Sequence, residues 1–327
     1  MFMKLLPVFK GVDFFPHDLR LPFMKYKGPA LAASIVAMLI SLGLCITLGL
    51  NYGVDFKGGS LVELKTKSGN ADISGLREKL NGLGLGNVQI QEFGSPDDVL
   101  VRLEEQPGGE AAQQEGLKKV TAATEADYVQ RRVEVVGPAV SSELRMTGFI
   151  AVAAGILAIV AYVWFRFEWQ FAVGAVVALT HDVLVTAGIF SLFRIEFDLS
   201  TVAALLTILG YSVNDTVVVS DRIRENLRKY KKMELNELLN LSINETLSRT
   251  ILTGLTAVAV LVSLYIFGGE VIRSFNLAML LGVVIGTYSS IFIAAPLLGY
   301  LGVKRDWSEA AAKMLGSAGA KTTKAKV

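Results

Sequence analysis

The sequence is poor in the residues from which most soluble sites are built. Its single cysteine, Cys45, excludes a disulfide framework, and with only two histidines, His17 and His181, it also excludes a Cys/His metal cluster. No G-x-x-x-x-G-K-[ST] occurs, and Gly82-Leu83-Gly84-Leu85-Gly86 falls short of G-x-G-x-x-G because Asn87 stands at the last glycine, so neither phosphate-cradling loop is present. Neither sign of charge prevails: 32 Lys and Arg against 30 Asp and Glu leave a net +2, which offers no electrostatic basis for holding nucleic acid. Most telling is where charge is missing. Hydrophobic residues make up 52% of 327 and the mean hydropathy is +0.48, too apolar for a chain that water surrounds on every side.

Six stretches are almost free of charge: Pro29–Leu50, Thr147–Phe165, Phe171–Phe193, Leu199–Val219, Ile251–Phe267 and Leu277–Leu301. Each is near the ~20 residues that a helix needs to cross ~30 Å of hydrocarbon. The expectation is a helical membrane protein with six spans. The first run is longer than the apolar core of a cleavable leader and ends Leu48-Gly49-Leu50-Asn51-Tyr52, so it is expected to stay as an anchor. Lys and Arg favour the cytoplasmic side of short loops. Five precede the first run against two acids, seven lie between runs four and five against five acids, and six follow the last against two. Arg194 alone separates runs three and four, and Arg273 alone runs five and six. This predicts both termini on the cytoplasmic side of the membrane and the long segment after the first run outside it.

The domains expected are therefore a cytoplasmic lead-in over 1–28, a first span over 29–50, an external domain over 51–146, and spans two to six over 147–303. Within the last, 220–250 is read as a cytoplasmic connection, and 304–327 as a cytoplasmic tail, disordered beyond Asp306. Phe9, Phe14, Phe15 and Phe23 sit among basic residues in the lead-in, compatible with an interfacial segment. In the external segment the pattern reads strand (Leu61–Thr66), helix (Asp72–Leu83), strand (Val88–Phe93), a Ser95-Pro96-Asp97-Asp98 turn, strand (Val99–Glu104), helix (Ala111–Ala126) and strand (Tyr128–Val136). That order is the ferredoxin-like βαββαβ unit, a small α+β domain.

Ionisable residues inside the apolar runs are the best site candidates, because charge at membrane depth costs several kcal/mol unless it is paired, solvated or neutralised. They are His181 and Asp182 in the third run, and Asp215 beside Asn214 in the fourth. Counting ~1.5 Å per residue from Leu199 puts Asp215 about 24 Å into the bilayer, level with Arg249 at the start of the fifth run. An Asp215–Arg249 pair is thus expected ahead of an Asp215–Asp182 contact. Desolvation favours the neutral acid and a guanidinium favours the carboxylate, so such a carboxyl can carry a proton. Tyr211, Ser212 and Thr216 would line it, whereas Asp182 and His181, ~100° apart on their helix, are not expected to share one partner. Gly148 and Gly155, or Gly282 and Gly286 at i, i+4, suit close packing of spans.

Several motifs, taken together and in order, resemble the SecF family of bacterial protein-export membrane subunits. They are Tyr52-Gly53-Val54-Asp55-Phe56-Lys57-Gly58-Gly59, Val136-Gly137-Pro138, Thr180-His181-Asp182, Tyr211-Ser212-Val213-Asn214-Asp215-Thr216, Leu247-Ser248-Arg249-Thr250 and Gly286-Thr287-Tyr288-Ser289-Ser290. The resemblance implies half of a twelve-helix bundle of the RND transporter type, completed by SecD. It also implies association with the SecYEG channel and YajC, an unfolded polypeptide in transit, and protons drawn through the bilayer to assist late-stage export. It ties Asp215 and Arg249 to proton movement, with Asn214, Asp182 and His181 beside them, and makes Asp55, Gly58, Gly59, Gly137 and Pro138 structural motif residues. No cofactor, metal or catalytic residue is implied, and no enzyme. Two other readings fit six spans with an intramembrane carboxylate: a proton-coupled RND-type exporter of small molecules or lipids, and an assembly scaffold that moves no protons.

Overall fold

The computed structural model describes residues 20–86, 88–269 and 272–303. The lead-in up to 19, with Phe9, Phe14 and Phe15, and the tail from 304 lie outside the described residues. Six helical stretches are long and apolar enough to cross a membrane. In chain order they are a 3-10 turn Phe23–Tyr26 running into α1 (Lys27–Thr47), then α5 (Pro138–Arg166), α6 (Trp169–Leu192), α7 (Leu199–Lys229) and α8 (Leu235–Phe267). The sixth is composite: α9 (Arg273–Ser289), a π turn (Ser290–Ala294) and α10 (Ala295–Leu301). Between α1 and α5 lie β1 (Asn51–Tyr52), α2 (Val54–Lys57), β2 (Gly59–Thr66), α3 (Ile73–Asn81), β3 (Val88–Phe93), β4 (Ser95–Leu103), α4 (Gly109–Thr124) and β5 (Tyr128–Val136). A two-residue β6 (Glu196–Phe197) joins α6 to α7.

The six spans are not equivalent. In their most apolar stretches 50% of α6, 50% of α7 and 56% of the sixth span are buried, against 11% of α1, 11% of α5 and 17% of α8. The first three therefore form the inside of the bundle. Glycine makes their approach possible: a Cβ on Gly282 of α9 would collide with the Ile208 side chain of α7, and one on Gly286 would stand 3.1 Å from Ser212 Cβ.

Two spans extend well beyond their charge-free cores. The 220–250 connection is almost wholly helical: α7 runs on to Lys229, α8 starts at Leu235, and only 230–234 turns between them. Ile223, Leu227, Leu238, Leu239 and Ile243 are fully buried along this hairpin, while its charges point outward. An amphipathic helix needs only one apolar stripe, so loss of an all-apolar run marks where lipid ends and not where the helix ends. For the same reason α5 starts at Pro138, not at Thr147, with Gly137 extended and the proline's preset φ at the first helical position.

The four long strands pair in the order β3-β4-β2-β5, all neighbours antiparallel, with α3 and α4 on one face, the ferredoxin-like arrangement. Val62, Leu64, Leu76, Leu80, Val99, Val101, Leu103 and Val120 form its core. Here the turn between the middle strands was misplaced from sequence: residues 95–98 belong to β4, and the reversal is made at Gly94, whose φ is +80°. Pro96 is tolerated in the strand because pairing with β2 stops at Lys65↔Asp98, so no ladder bond is lost.

This domain meets the bundle through a compact junction. β1 pairs in parallel with β6, Tyr52, Phe56, Phe190 and Phe197 pack ring to ring, and Arg102 of β4 forms an ion pair with Glu196. Burial pushes the Glu196 carboxyl above its ordinary range, and the Arg102 guanidinium acts against that. A cleft of ≈ 450 Å³ opens between the uncovered sheet face and this junction.

Candidate functional site

Asp182 on α6 has no exposed surface. Its Oδ2 accepts hydrogen bonds from Ser212 Oγ of α7 at 2.6 Å and Ser289 Oγ of α9 at 2.8 Å, and its Oδ1 lies 2.9 Å from His181 Nδ1. One carboxylate thus ties the three inner helices together. The neighbours His181 and Asp182, expected to diverge, bond to each other, because a long imidazole can fold back along the helix to the next side chain. The His181 ring also lies 6.0 Å from that of Tyr288, whose hydroxyl donates to the Ala30 carbonyl of α1 at 3.1 Å. The π turn begins directly after Ser289.

Asp215, one turn further along α7, is in a different situation. It is 3% exposed, and its Oδ2 is buried without a hydrogen-bond partner among the described residues. Thr216 Oγ1 and, on α8, Thr250 Oγ1 are orphaned in the same way, so a seam of unsatisfied polar atoms runs between α7 and α8. Arg249 is near enough for its charge to bear on the carboxyl. The expected contact pair is nevertheless not made: among the described residues no ion pair joins them, because α8 carries Arg249 on its exposed side. Asn214 is exposed too, and with Thr207 and Gly210 forms a small-polar stripe on the outer face of α7. A stripe of that kind at membrane depth is a poor match for lipid.

The remaining motif residues lie at the junction. Asp55 Oδ2 accepts the Leu199 backbone N–H at 2.9 Å, adding to the Asp198–Thr201 capping box at the start of α7. Gly58 and Gly59 have φ of +78° and +117°, and a Cβ on Gly59 would strike the Leu103 carbonyl, so only glycine lets the chain turn from α2 into β2. Gly137 and Pro138 make the return from β5 into α5. Sequence reasoning had not assigned roles to Ser289, Tyr288 and Thr250. Ser and Thr are ordinary in membrane helices, so only spatial convergence marks them out. Among the described residues no three His, Cys, Asp or Glu groups are placed to hold a metal ion. The arrangement leaves Asp215 beside buried polar atoms with spare hydrogen-bonding capacity.

Comparison with known proteins gives consistent matches. The family model described as protein export membrane protein SecD/SecF, C-terminal, covers residues 116–304, and that for the SecD/SecF GG motif covers 43–69. The chain is 47% identical over 314 residues to the protein translocase subunit SecF of Cereibacter sphaeroides, with 93% of each chain covered. It is 46% identical over 289 residues to SecDF of Brucella abortus, covering 88% of this chain but 38% of that one. Among solved structures, SecDF from Thermus, a translocon-associated membrane protein, superposes with a TM-score of 0.78 at 37% identity over 87% of this chain and 39% of that one. The chain therefore spans almost the whole of the SecF relative and well under half of the two SecDF chains.

Proposed function

Because the chain belongs to the SecD/SecF family of protein-export membrane proteins, we propose that it is the SecF-type half of a translocase accessory unit that spends the proton gradient on late-stage polypeptide export. It is a multi-pass membrane protein and a translocase subunit; the proton step is our reading of its bundle. The observation that carries it is the contrast at Asp215, a buried carboxyl whose Oδ2 has no hydrogen-bond partner among the described residues, beside an exposed stripe of small residues in the middle of a span.

On this reading the stripe of Thr207, Gly210 and Asn214, with Arg249, is covered by the matching half, SecD, which closes the bundle to twelve helices. Protonation of Asp215 weakens its attraction to Arg249, and the α7–α8 pair shifts between two arrangements. Such coupling requires each protonation state to favour a different arrangement. The junction at Asp55, Gly58, Gly59, Gly137 and Pro138 passes the shift to the external domain, which acts on polypeptide leaving the SecYEG channel, with YajC in the same assembly. Both termini and the α7–α8 hairpin are cytoplasmic and the βαββαβ domain is periplasmic, in keeping with the distribution of Lys and Arg.

The test is secretion in cells depleted of their own SecF, rescued by this chain or by its Asp215→Asn form at matched membrane abundance. Rescue by the first and not the second is the expected result. Equal rescue would leave a scaffold, and rescue by neither, with SecD from the same source supplied, would reopen the small-molecule exporter.

A further inference from the structure

At the end of the bundle away from the four-stranded domain, the last turn of α5 and the extension of α7 enclose a recess of ≈ 510 Å³. It is lined by Arg166, Asp221, Arg224, Glu225, Arg228 and Lys229. Residues 221, 224, 225 and 228 recur at helical spacing, so they form one stripe of α7 facing Arg166. Both lining carboxylates are engaged: Asp221 by Arg166 at 3.3 Å, and Glu225 by Arg222, from outside the recess, at 2.7 Å. Glu168 stands at the same corner, its carboxyl pushed up by burial while Arg224 and Arg228 act to lower it. The lining thus holds four cations against two acids.

Two further features give the recess direction. Phe167 is buried, and the guanidinium carbons of Arg166 and Arg224 lie 5.0 Å and 5.9 Å from its ring centre, so the cations are held in place from below. Beside it Trp164, Phe165 and Trp169 are 66%, 96% and 54% exposed, too apolar for water and suited to the boundary between headgroups and hydrocarbon. Asp221 is 22 residues from Leu199, about 33 Å along α7. That places the recess at the edge of a ~30 Å hydrocarbon layer.

We propose that this recess binds the phosphate headgroup of an anionic phospholipid whose acyl chains lie against Trp164, Phe165 and Trp169. The aromatic rim favours a lipid over a free anion or a peptide carboxylate, since neither of those has an apolar tail to cover it. In the orientation proposed above, on which this point rests, the lipid belongs to the inner leaflet.

The experiment uses the purified full chain in detergent, counting retained lipid by native mass spectrometry and following melting with phosphatidylglycerol, phosphatidylcholine or inorganic phosphate added. The chain retains phosphatidylglycerol in preference to phosphatidylcholine and melts higher with it. A combined Arg166→Gln, Arg224→Gln, Arg228→Gln variant binds it on the order of a hundredfold more weakly, compared at matched folded protein. Arg228→Gln alone, at an exposed position where folding is not at stake, gives about fivefold weakening. The corresponding lysine variants keep most of the binding. Undiminished retention by the glutamine variants, equal retention of both lipids, or the same stabilisation by inorganic phosphate alone would each overturn the proposal. Detergent has no sidedness, so an error in orientation would leave the lipid preference intact and appear only in labelling of oriented vesicles.

Discussion

Asp182 and Asp215 are buried carboxylates of one bundle, and their surroundings are opposite. Ser212, which donates to Asp182, and Asp215 lie on the same helix only three residues apart. Yet Asp182 is hydrogen-bonded by side chains of α6, α7 and α9 on its two oxygens, while among the described residues Asp215 keeps an oxygen with no partner. A buried carboxyl whose oxygens are taken pins the helices that supply the partners; one left short keeps capacity for a further partner. Burial alone therefore does not tell the two carboxyls apart, and the proposed role of Asp215 rests on the unfilled bond.

The comparison breaks most visibly if Asp215→Asn supports secretion as well as the parent chain. The expectation is loss of rescue down to the level of depleted cells, with the melting temperature of the purified protein almost unchanged because no hydrogen bond to Oδ2 is lost. Asp182→Leu should do the reverse: it strands three donors and lowers stability by about 3–5 kcal/mol, read as a drop in melting temperature and membrane abundance. A purely functional defect in a stably folded Asp182→Leu protein would mean that the two roles are not divided as described. Ser289→Ala removes one donor and should cost about 1–2 kcal/mol, with export reduced only as far as abundance falls.

A carboxylate in water sets the lower end of the scale. Asp97, at the start of β4, is held down to about 2 chiefly by the Lys65 ammonium 2.5 Å away and then by the Ser95 hydroxyl, against an ordinary 3.8. Its folded-state value is depressed, so its small contribution is fully present above about pH 4 and fades as pH falls through about 2. The melting curves of the parent and Asp97→Asn should differ slightly at neutral pH and converge in strong acid. A difference that grew on acidification would contradict the assignment.

The order of the external elements was legible because a half-buried strand alternates and a covering helix repeats every three to four residues, as in Val99, Val101, Leu103 and in Leu76, Leu80. The Gly94 reversal was not, because Ser95-Pro96-Asp97-Asp98 has stronger turn residues and only pairing to β2 and β3 decides which of them continue the strand. Asp215 and Asp182 were legible as costly residues in apolar runs. The difference in their surroundings was not: it depends on Ser289 of α9, 107 positions from Asp182, and on which way α8 turns Arg249.

By itself the sequence determined that this chain crosses a membrane six times, carries one βαββαβ domain and holds few ionisable groups at depth. Those are consequences of composition and period, which act locally along the chain. The tertiary structure alone decided which three helices are inside, which carboxylate is saturated and where the cationic recess closes. Hydrogen bonds and burial depend on neighbours in space, and residues such as Ser212 and Ser289 have no meaning for Asp182 until the helices that carry them are packed.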